Sequence, residues 1–152
     1  MVHPRSGRRN LVKVIFDLEQ RGRTETLWAE RIGEDRCRLQ NTPFYAYSVS
    51  LGDVVEVEAC EAIYKFKNVI IRSGHSSYRL WVEEEITSRR FQEHWRLIEQ
   101  LGCSFEQASK NLVAVDVPSQ ANIHEVYRRL EEGEHARVWE FEEGHCGHVV
   151  KE

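Results

Sequence analysis

The sequence predicts an α+β fold in which a small, barrel-like β-sheet is followed by a unit that mixes strands and helices. Three observations lead to this fold class. Before residue 72, apolar and polar residues alternate in short runs separated by turn residues, which is typical of half-buried strands. After residue 86, two segments carry apolar residues at helical spacing. Residues 72–79, between these regions, are polar and centred on a glycine.

Five short strands are predicted in the first half. They cover residues 11–19, 25–32, 36–40, 53–60 and 65–72. In the first of them Val12, Val14 and Phe16 share one face, as a half-buried strand requires. The third ends before Pro43, because proline has no amide to donate to a neighbouring strand. Short strands joined by turns, without helical periodicity, indicate a five-stranded β-barrel-like sheet.

The second half is predicted to have the order β-α-β-β-α-β. Strands are expected at residues 78–83, 103–108, 112–117 and 137–142, and helices at 87–101 and from Asn122 to Gly133. Ser88 or Thr87 caps the first helix, and Asn122, with Glu125 three residues later, caps the second. This order is that of a ferredoxin-like plait, in which right-handed crossovers place both helices on one face of the sheet.

These patterns divide the chain into four parts. Residues 1–10 are predicted to be a flexible basic tail, 11–75 a β-barrel-like subdomain, 76–144 a ferredoxin-like subdomain and 145–152 a C-terminal tail. A chain of 152 residues suits one domain or two very small ones.

Composition narrows the class of protein. The net charge is −4 with both signs mixed, so we expect neither nucleic acid nor an anionic membrane as partner. No apolar run is long enough to span a membrane, and the N-terminus lacks the apolar segment of a signal peptide. The four cysteines are scattered without a CxxC pair, which indicates reduced thiols. We therefore expect a cytoplasmic protein.

The polar stretch at 72–79 is the first candidate site. Gly74 permits a tight turn that exposes backbone amides, and Arg72 and Arg79 flank it, a combination that suits a carboxylate or a phosphate. The predicted site residues here are Arg72, Ser73, Gly74, His75, Ser76, Tyr78 and Arg79. The alternative is a turn whose hydroxyls cap its own backbone.

Aromatic residues form the second candidate site. Phe44, Tyr45 and Tyr47 follow Pro43 and are predicted to form a partner-binding surface, or alternatively to close one end of the barrel. RNA recognition by the outer face of the plait is disfavoured, because it offers one ring, Trp81, among carboxylates. That ring, with Leu112 and Val138, is expected to pack on the first half or on another subunit.

Chemical motifs are sparse. His75 is followed by serines as in half of a two-histidine phosphoesterase, but the second such motif is missing. His145, Cys146 and His148 are closely spaced and are residue types that bind metal ions. The alternative interpretation of these residues is a frayed C-terminal tail. No catalytic residue, metal ligand or cofactor is predicted, and whether the protein is an enzyme stays open.

The chain resembles a family of small bacterial proteins catalogued as a domain of unknown function. The resemblance rests on residues 43–47 (PFYAY), 52–55 (GDVV) and 72–79 (RSGHSSYR), supported by 25–28 and 38–41. By element order and a few apolar positions, the second half is also similar to the ferredoxin-like domain of the B-type regulator of ribonuclease E. That resemblance implies a protein that acts by binding.

The function predicted from the sequence is a non-catalytic protein-binding or regulatory module. Its cleft between the two halves would be floored by residues 72–79 and walled by 44–47. The expected partner is another protein with an acidic segment, or a small anion, and a homo-oligomer is left open. The alternative is a small hydrolase that acts on a phosphate ester through His75 and Ser73 or Ser76.

Overall fold

The computed structural model describes residues 10–20 and 22–150, which contain nine strands in two sheets and two helices. A mixed fold of strands and helices is therefore confirmed. Apart from Asn10, the predicted basic tail lies outside the described residues. None of the helices in the described ranges is long and apolar enough to cross a membrane.

The first sheet contains the five strands predicted before residue 72. They are β1 (Leu11–Asp17), β2 (Thr24–Gly33), β3 (Arg36–Leu39), β4 (Val54–Cys60) and β5 (Ile63–Ile71). Each strand pairs antiparallel with the next, and β1 also pairs parallel with β5. The β1–β5 pairing contains two residue pairs, Val14–Tyr64 and Ile15–Lys65, whereas the β1–β2 ladder contains seven.

Alternation along these strands builds the first core. Val14 and Phe16 point inward from β1 and meet Leu27 and Ala29 of β2, as a side-chain period of two requires. The predicted apolar face of the first strand is confirmed at these positions. The segment between β3 and β4, residues 40–53, adds Ala46 and Val49 to this core and has no regular strand or helix.

The second half has the predicted order of elements. They are β6 (Ser76–Val82), α1 (Arg89–Glu99), β7 (Ser104–Gln107), β8 (Leu112–Val117), α2 (Ile123–His135) and β9 (Trp139–His145). All neighbours in this sheet are antiparallel and the order across it is β7-β8-β6-β9. The strands β6 and β8 are therefore central, and β7 and β9 are its edges.

Helix caps and the second core follow the predicted pattern. Ser88 Oγ accepts a hydrogen bond from the Phe91 amide, and Asn122 Oδ1 accepts from the amides of His124 and Glu125. Both caps are confirmed. The core lies between the sheet and the helices, and Trp139 of β9 packs there as expected.

Two details of this half were predicted wrongly. Helix α2 does not end at Gly133 but continues to His135, because Gly133 serves packing rather than termination. Its missing side chain makes room for the indole of Trp139, whose Nε1 donates to Leu130 O at 2.9 Å. Val138, which we expected on the outer face of the sheet, instead belongs to the core beside the helices.

Replacement of Gly133 by alanine tests this packing. Helix propensity alone predicts a gain in stability of about 1 kcal/mol. The new Cβ, however, would lie 2.2 Å from two atoms of the Trp139 ring, so we expect the free energy of unfolding to fall by about 2 kcal/mol or more. Urea unfolding measures it. Gly33→Ala, whose Cβ meets its nearest neighbour at 3.6 Å, is the control and should change little.

Candidate functional site

The segment of residues 41–47 lies between the two sheets and is attached to the first by a buried carboxylate. Glu25, at the start of β2, is only 8% exposed. Its oxygens accept hydrogen bonds from the amides of Phe44 (2.6 Å), Tyr45 (3.1 Å) and Ala46 (2.8 Å). Three donors satisfy one carboxylate, so the segment is fixed without regular secondary structure.

Arg79 of β6 attaches the same segment to the second sheet. The side chain is fully buried, and it donates to the carbonyl oxygens of Phe44 (from Nε, 2.8 Å) and Ala46 (from Nη2). The ring of Tyr47 covers the guanidinium, with 4.7 Å between Cζ and the ring centroid. Burial lowers the pKa of Arg79, and the charge of Glu142, whose Oε1 lies 3.8 Å from Nη1, opposes this change.

A second buried carboxylate holds the start of the segment. Glu106 of β7 accepts from Asn41 Nδ2 at 2.7 Å and from the Thr42 amide at 2.5 Å. Asn41 Oδ1 in turn accepts from the amide of Trp28 in β2, at 2.9 Å. The segment of residues 41–47 thus carries hydrogen bonds from both sheets along its length.

The turn before β6 is organised by Asp53, which is 1% exposed. Its carboxylate accepts from the amides of Ser50 (3.0 Å) and Ser73 (2.8 Å) and pairs with Arg72 Nη1 at 3.3 Å. Gly74 has a φ of 87°, in the left-handed region that favours glycine. The conformation that the sequence suggested for this turn is therefore present, but much of its polar chemistry is internal.

Arg72 and His145 form a partly exposed polar pair at this junction. Arg72 Nη1 donates to Ser48 O at 2.5 Å and lies 3.5 Å from His145 Nε2. Because arginine has no acceptor, Nε2 must accept and the proton of the neutral imidazole is on Nδ1. Burial, and then the charge of Arg72, lower the pKa of His145.

Several N–H groups of Arg72 and His145 have no hydrogen-bond partner among the described residues and are free to donate to a ligand. The Arg72 side chain is 46% exposed, and all its hydrogen bonds and ion pairs to the described part of the chain use Nη1. Nε and Nη2 of Arg72 therefore have no hydrogen bond there, and the same holds for His145 Nδ1.

The His75 ring and the hydroxyls of the neighbouring serines have different hydrogen-bond partners. His75 Nδ1 donates to Asp116 Oδ1 at 2.8 Å. Ser73 Oγ donates to Leu51 O at 2.7 Å, and Ser76 Oγ lies 2.6 Å from His148 Nδ1. Neither serine hydroxyl is therefore bonded to the His75 ring, although Ser73 Oγ accepts from the His75 backbone amide at 3.2 Å.

The predicted site residues fall into three groups by their exposure in the structure. Ser76, Tyr78 and Arg79 are buried, and Tyr78 faces the core beside the helices, where burial raises its pKa. Arg72, Tyr45 and Tyr47 are about half exposed. Phe44, Ser73, Gly74 and His75 are intermediate in exposure. The arginines at the two ends of the stretch thus lie in different environments.

Buried carboxylates were missed by the sequence analysis. Glu25 occupies the inward face of β2 together with Leu27 and Ala29, and Asp116 lies between two buried valines of β8. An acidic residue at an inward position of a strand must find partners, because an unpaired buried charge is very unfavourable. That signal is present in the sequence. Within residues 10–20 and 22–150, no group of three or more histidine, cysteine, aspartate or glutamate side chains is arranged to hold a metal ion.

Comparisons with known proteins give a family and a fold. The profile of a family described as "Domain of unknown function (DUF4265)" matches residues 25–141. A crystal structure of a hypothetical protein from Neisseria gonorrhoeae is similar, with a TM-score of 0.77 and 20% identity, over 93% of this chain and 98% of that one. At this identity the likeness concerns the fold alone. No curated protein matches the sequence.

Replacement of Arg79 by methionine tests the attachment between the sheets. Methionine keeps most of the volume but leaves the carbonyl groups of Phe44 and Ala46 without a donor. Removal of one partner from a buried charged network destabilises a protein by about 3–5 kcal/mol, and we expect a loss of that size in urea unfolding. Arg89→Met, at a position whose side chain is 93% exposed, is the matched control and should have little effect.

The pKa of His145 tests the Arg72–His145 pair. Because the folded-state pKa lies below the ordinary value of 6.5, the unfolded state binds the proton more readily. The contribution of His145 to stability is therefore complete above pH 6.5 and is lost as the pH falls through the folded-state pKa. Arg72→Ala should raise the pKa of His145 part of the way, since burial remains. Proton NMR titration measures it. An unchanged pKa would mean that the two side chains do not interact in solution.

Proposed function

The chain belongs to the DUF4265 family, a domain of unknown function, and we propose that it is a non-catalytic binding module with a polar site at the junction of its two halves. The observation that carries this proposal is the exposed face of Arg72. Its Nε and Nη2 are uncommitted within the described residues, and the Nδ1 proton of His145 lies beside them. These donors suit an anionic group.

The electrostatics of the site favour a carboxylate from a protein partner. Asp53, buried beneath Arg72, offsets much of the arginine charge, and His145 is held neutral by burial and by Arg72. A site of low net charge suits one carboxylate better than a doubly charged phosphate. Tyr45 and Tyr47, both about half exposed, add the rigid contact area that is common in protein interfaces. The proposed partner therefore presents an acidic segment.

The architecture agrees with a binding role. We infer that the second half is a ferredoxin-like plait, an inference supported by its βαββαβ order and by the strand order β7-β8-β6-β9. The resemblance of this half to the ferredoxin-like domain of the B-type ribonuclease E regulator, which acts by binding, is consistent with that role. A fold of this kind does not by itself define an activity.

The alternative function is hydrolysis of a phosphate ester through His75 and a neighbouring serine. It is favoured by Asp116, which orients the His75 ring as a carboxylate does in catalytic triads. It is disfavoured by the serines, since neither hydroxyl bonds to the His75 ring: Ser73 Oγ donates to Leu51 O, and Ser76, which is completely buried, bonds to His148. A nucleophile must lie within hydrogen-bond reach of its base, so binding is the better-supported function.

Affinity capture from the source cell tests the proposal. The wild-type protein is immobilised beside Arg72→Ala and beside Arg89→Ala, which removes the same charge from an exposed site on α1. We expect the wild type and the control to retain a common partner, and Arg72→Ala to retain about ten-fold less, because a charge-assisted hydrogen bond contributes about 1.5–3 kcal/mol. A pentaglutamate peptide should release the partner. Equal recovery by all three proteins would remove Arg72 from the binding role.

A further inference from the structure

We propose that a second surface of the protein binds a lysine or arginine side chain of a protein partner. This surface consists of Tyr47, Trp81, Glu140 and Glu142, and we call it the Trp81 surface. It goes beyond the proposed function because it uses different charged residues and recognises the opposite charge. It lies on the sheet face turned away from α1 and α2.

The strand register places these side chains together. Trp81 of β6 is directly opposite Glu140 of β9, and Arg79 is opposite Glu142. Residues two apart on a strand share a face, so Trp81 and both glutamates lie on the same face as Arg79. Tyr47 joins them, because its hydroxyl donates to Glu142 Oε1 at 2.8 Å. The surface therefore lies along β9, an edge of the second sheet.

The exposure of this surface differs from that of the rest of the same face. Ser77, Arg79 and Ala114 are completely buried there, whereas Trp81 is 40% and Tyr47 48% exposed. Within the described part of the chain, the Trp81 side chain makes no hydrogen bond, ring contact or cation–π contact. Under the same restriction, the Glu140 side chain makes no hydrogen bond or ion pair. A large indole and a carboxylate thus lie side by side with their interactions unused.

The chemistry of the Trp81 surface selects a cation. Arg79, the basic residue that shares the face, is covered by the Tyr47 ring and bound to carbonyl oxygens. The accessible groups are consequently the exposed carboxylate of Glu140, the partly exposed carboxylate of Glu142, whose Oε1 also contacts Tyr47 and Arg79, and an indole that is 40% exposed. An indole is the best aromatic partner for a cation. A lysine or arginine would lay its aliphatic stem on Trp81 and direct its charged head to Glu140 and Glu142. Charge complementarity therefore identifies the occupant as a basic segment of a protein.

Titration with pentalysine amide tests this assignment. In ¹H–¹⁵N spectra of the full chain, we expect saturable shifts of the Trp81 indole Nε1–H signal and of the Glu140 amide, and none with pentaglutamate. Glu140→Gln and Trp81→Leu should each weaken the binding by about five-fold or more. Glu131→Gln is the matched control, because it removes an equal charge from the exposed surface of α2.

Three results would overturn the proposal. They are the absence of a shift at Trp81, equal affinities in Glu131→Gln and Glu140→Gln, and shifts at Trp81 that follow protein concentration without peptide. The last would identify a second copy of the chain as the occupant. Arg72→Ala separates this surface from the carboxylate site, since it should reduce partner capture about ten-fold and leave pentalysine binding unchanged.

Discussion

The structure depends on a fully buried guanidinium, that of Arg79, which requires acceptors where water cannot supply them. The segment of residues 41–47 supplies two carbonyl oxygens, and Glu25 from the first sheet takes three amides of the same segment. The first sheet thus pairs amides of this segment, and the second sheet pairs carbonyl groups of the same segment. This segment, which has no regular secondary structure, therefore connects the two sheets, and its tyrosines are exposed on a fixed backbone.

Much of the fold could be predicted from sequence because its signals are local. Alternation around Val14 and Phe16 identifies a strand, and Ser88 and Asn122 mark the helix starts because their side chains accept from nearby amides. The wrong end of α2 shows the limit of such signals. A glycine is read as a helix stop from sequence alone, whereas Gly133 is required by the ring of Trp139, which contacts it from another element. The division of the chain into subdomains at residues 75 and 76 remains a prediction.

The candidate site was predictable in composition but not in geometry. The sequence shows that residues 72–79 are polar and basic. Alternation along β6 predicts on which face of the sheet Arg79 lies, but it does not predict which residues cover that face. Phe44 lies 35 residues from Arg79 in the sequence, so the contact between them is purely tertiary. In this fold, both proposed surfaces lie along the paired strands β6 and β9. Ser77 pairs with His145 and Trp81 with Glu140, four residues apart on β6, which corresponds to about 13 Å. One partner segment with an acidic and a basic side chain at that spacing would contact both.

Hydrogen exchange at the amides of Phe44, Tyr45 and Ala46 tests the central claim most directly. If Glu25 and Arg79 hold this segment between the sheets, these amides open only with large-scale unfolding, and their opening free energies match those of the buried β6 and β8 amides. Exchange at the rates of an exposed loop, while the strand amides stay protected, would contradict the account. The segment of residues 41–47 would then open independently of the sheets that it connects.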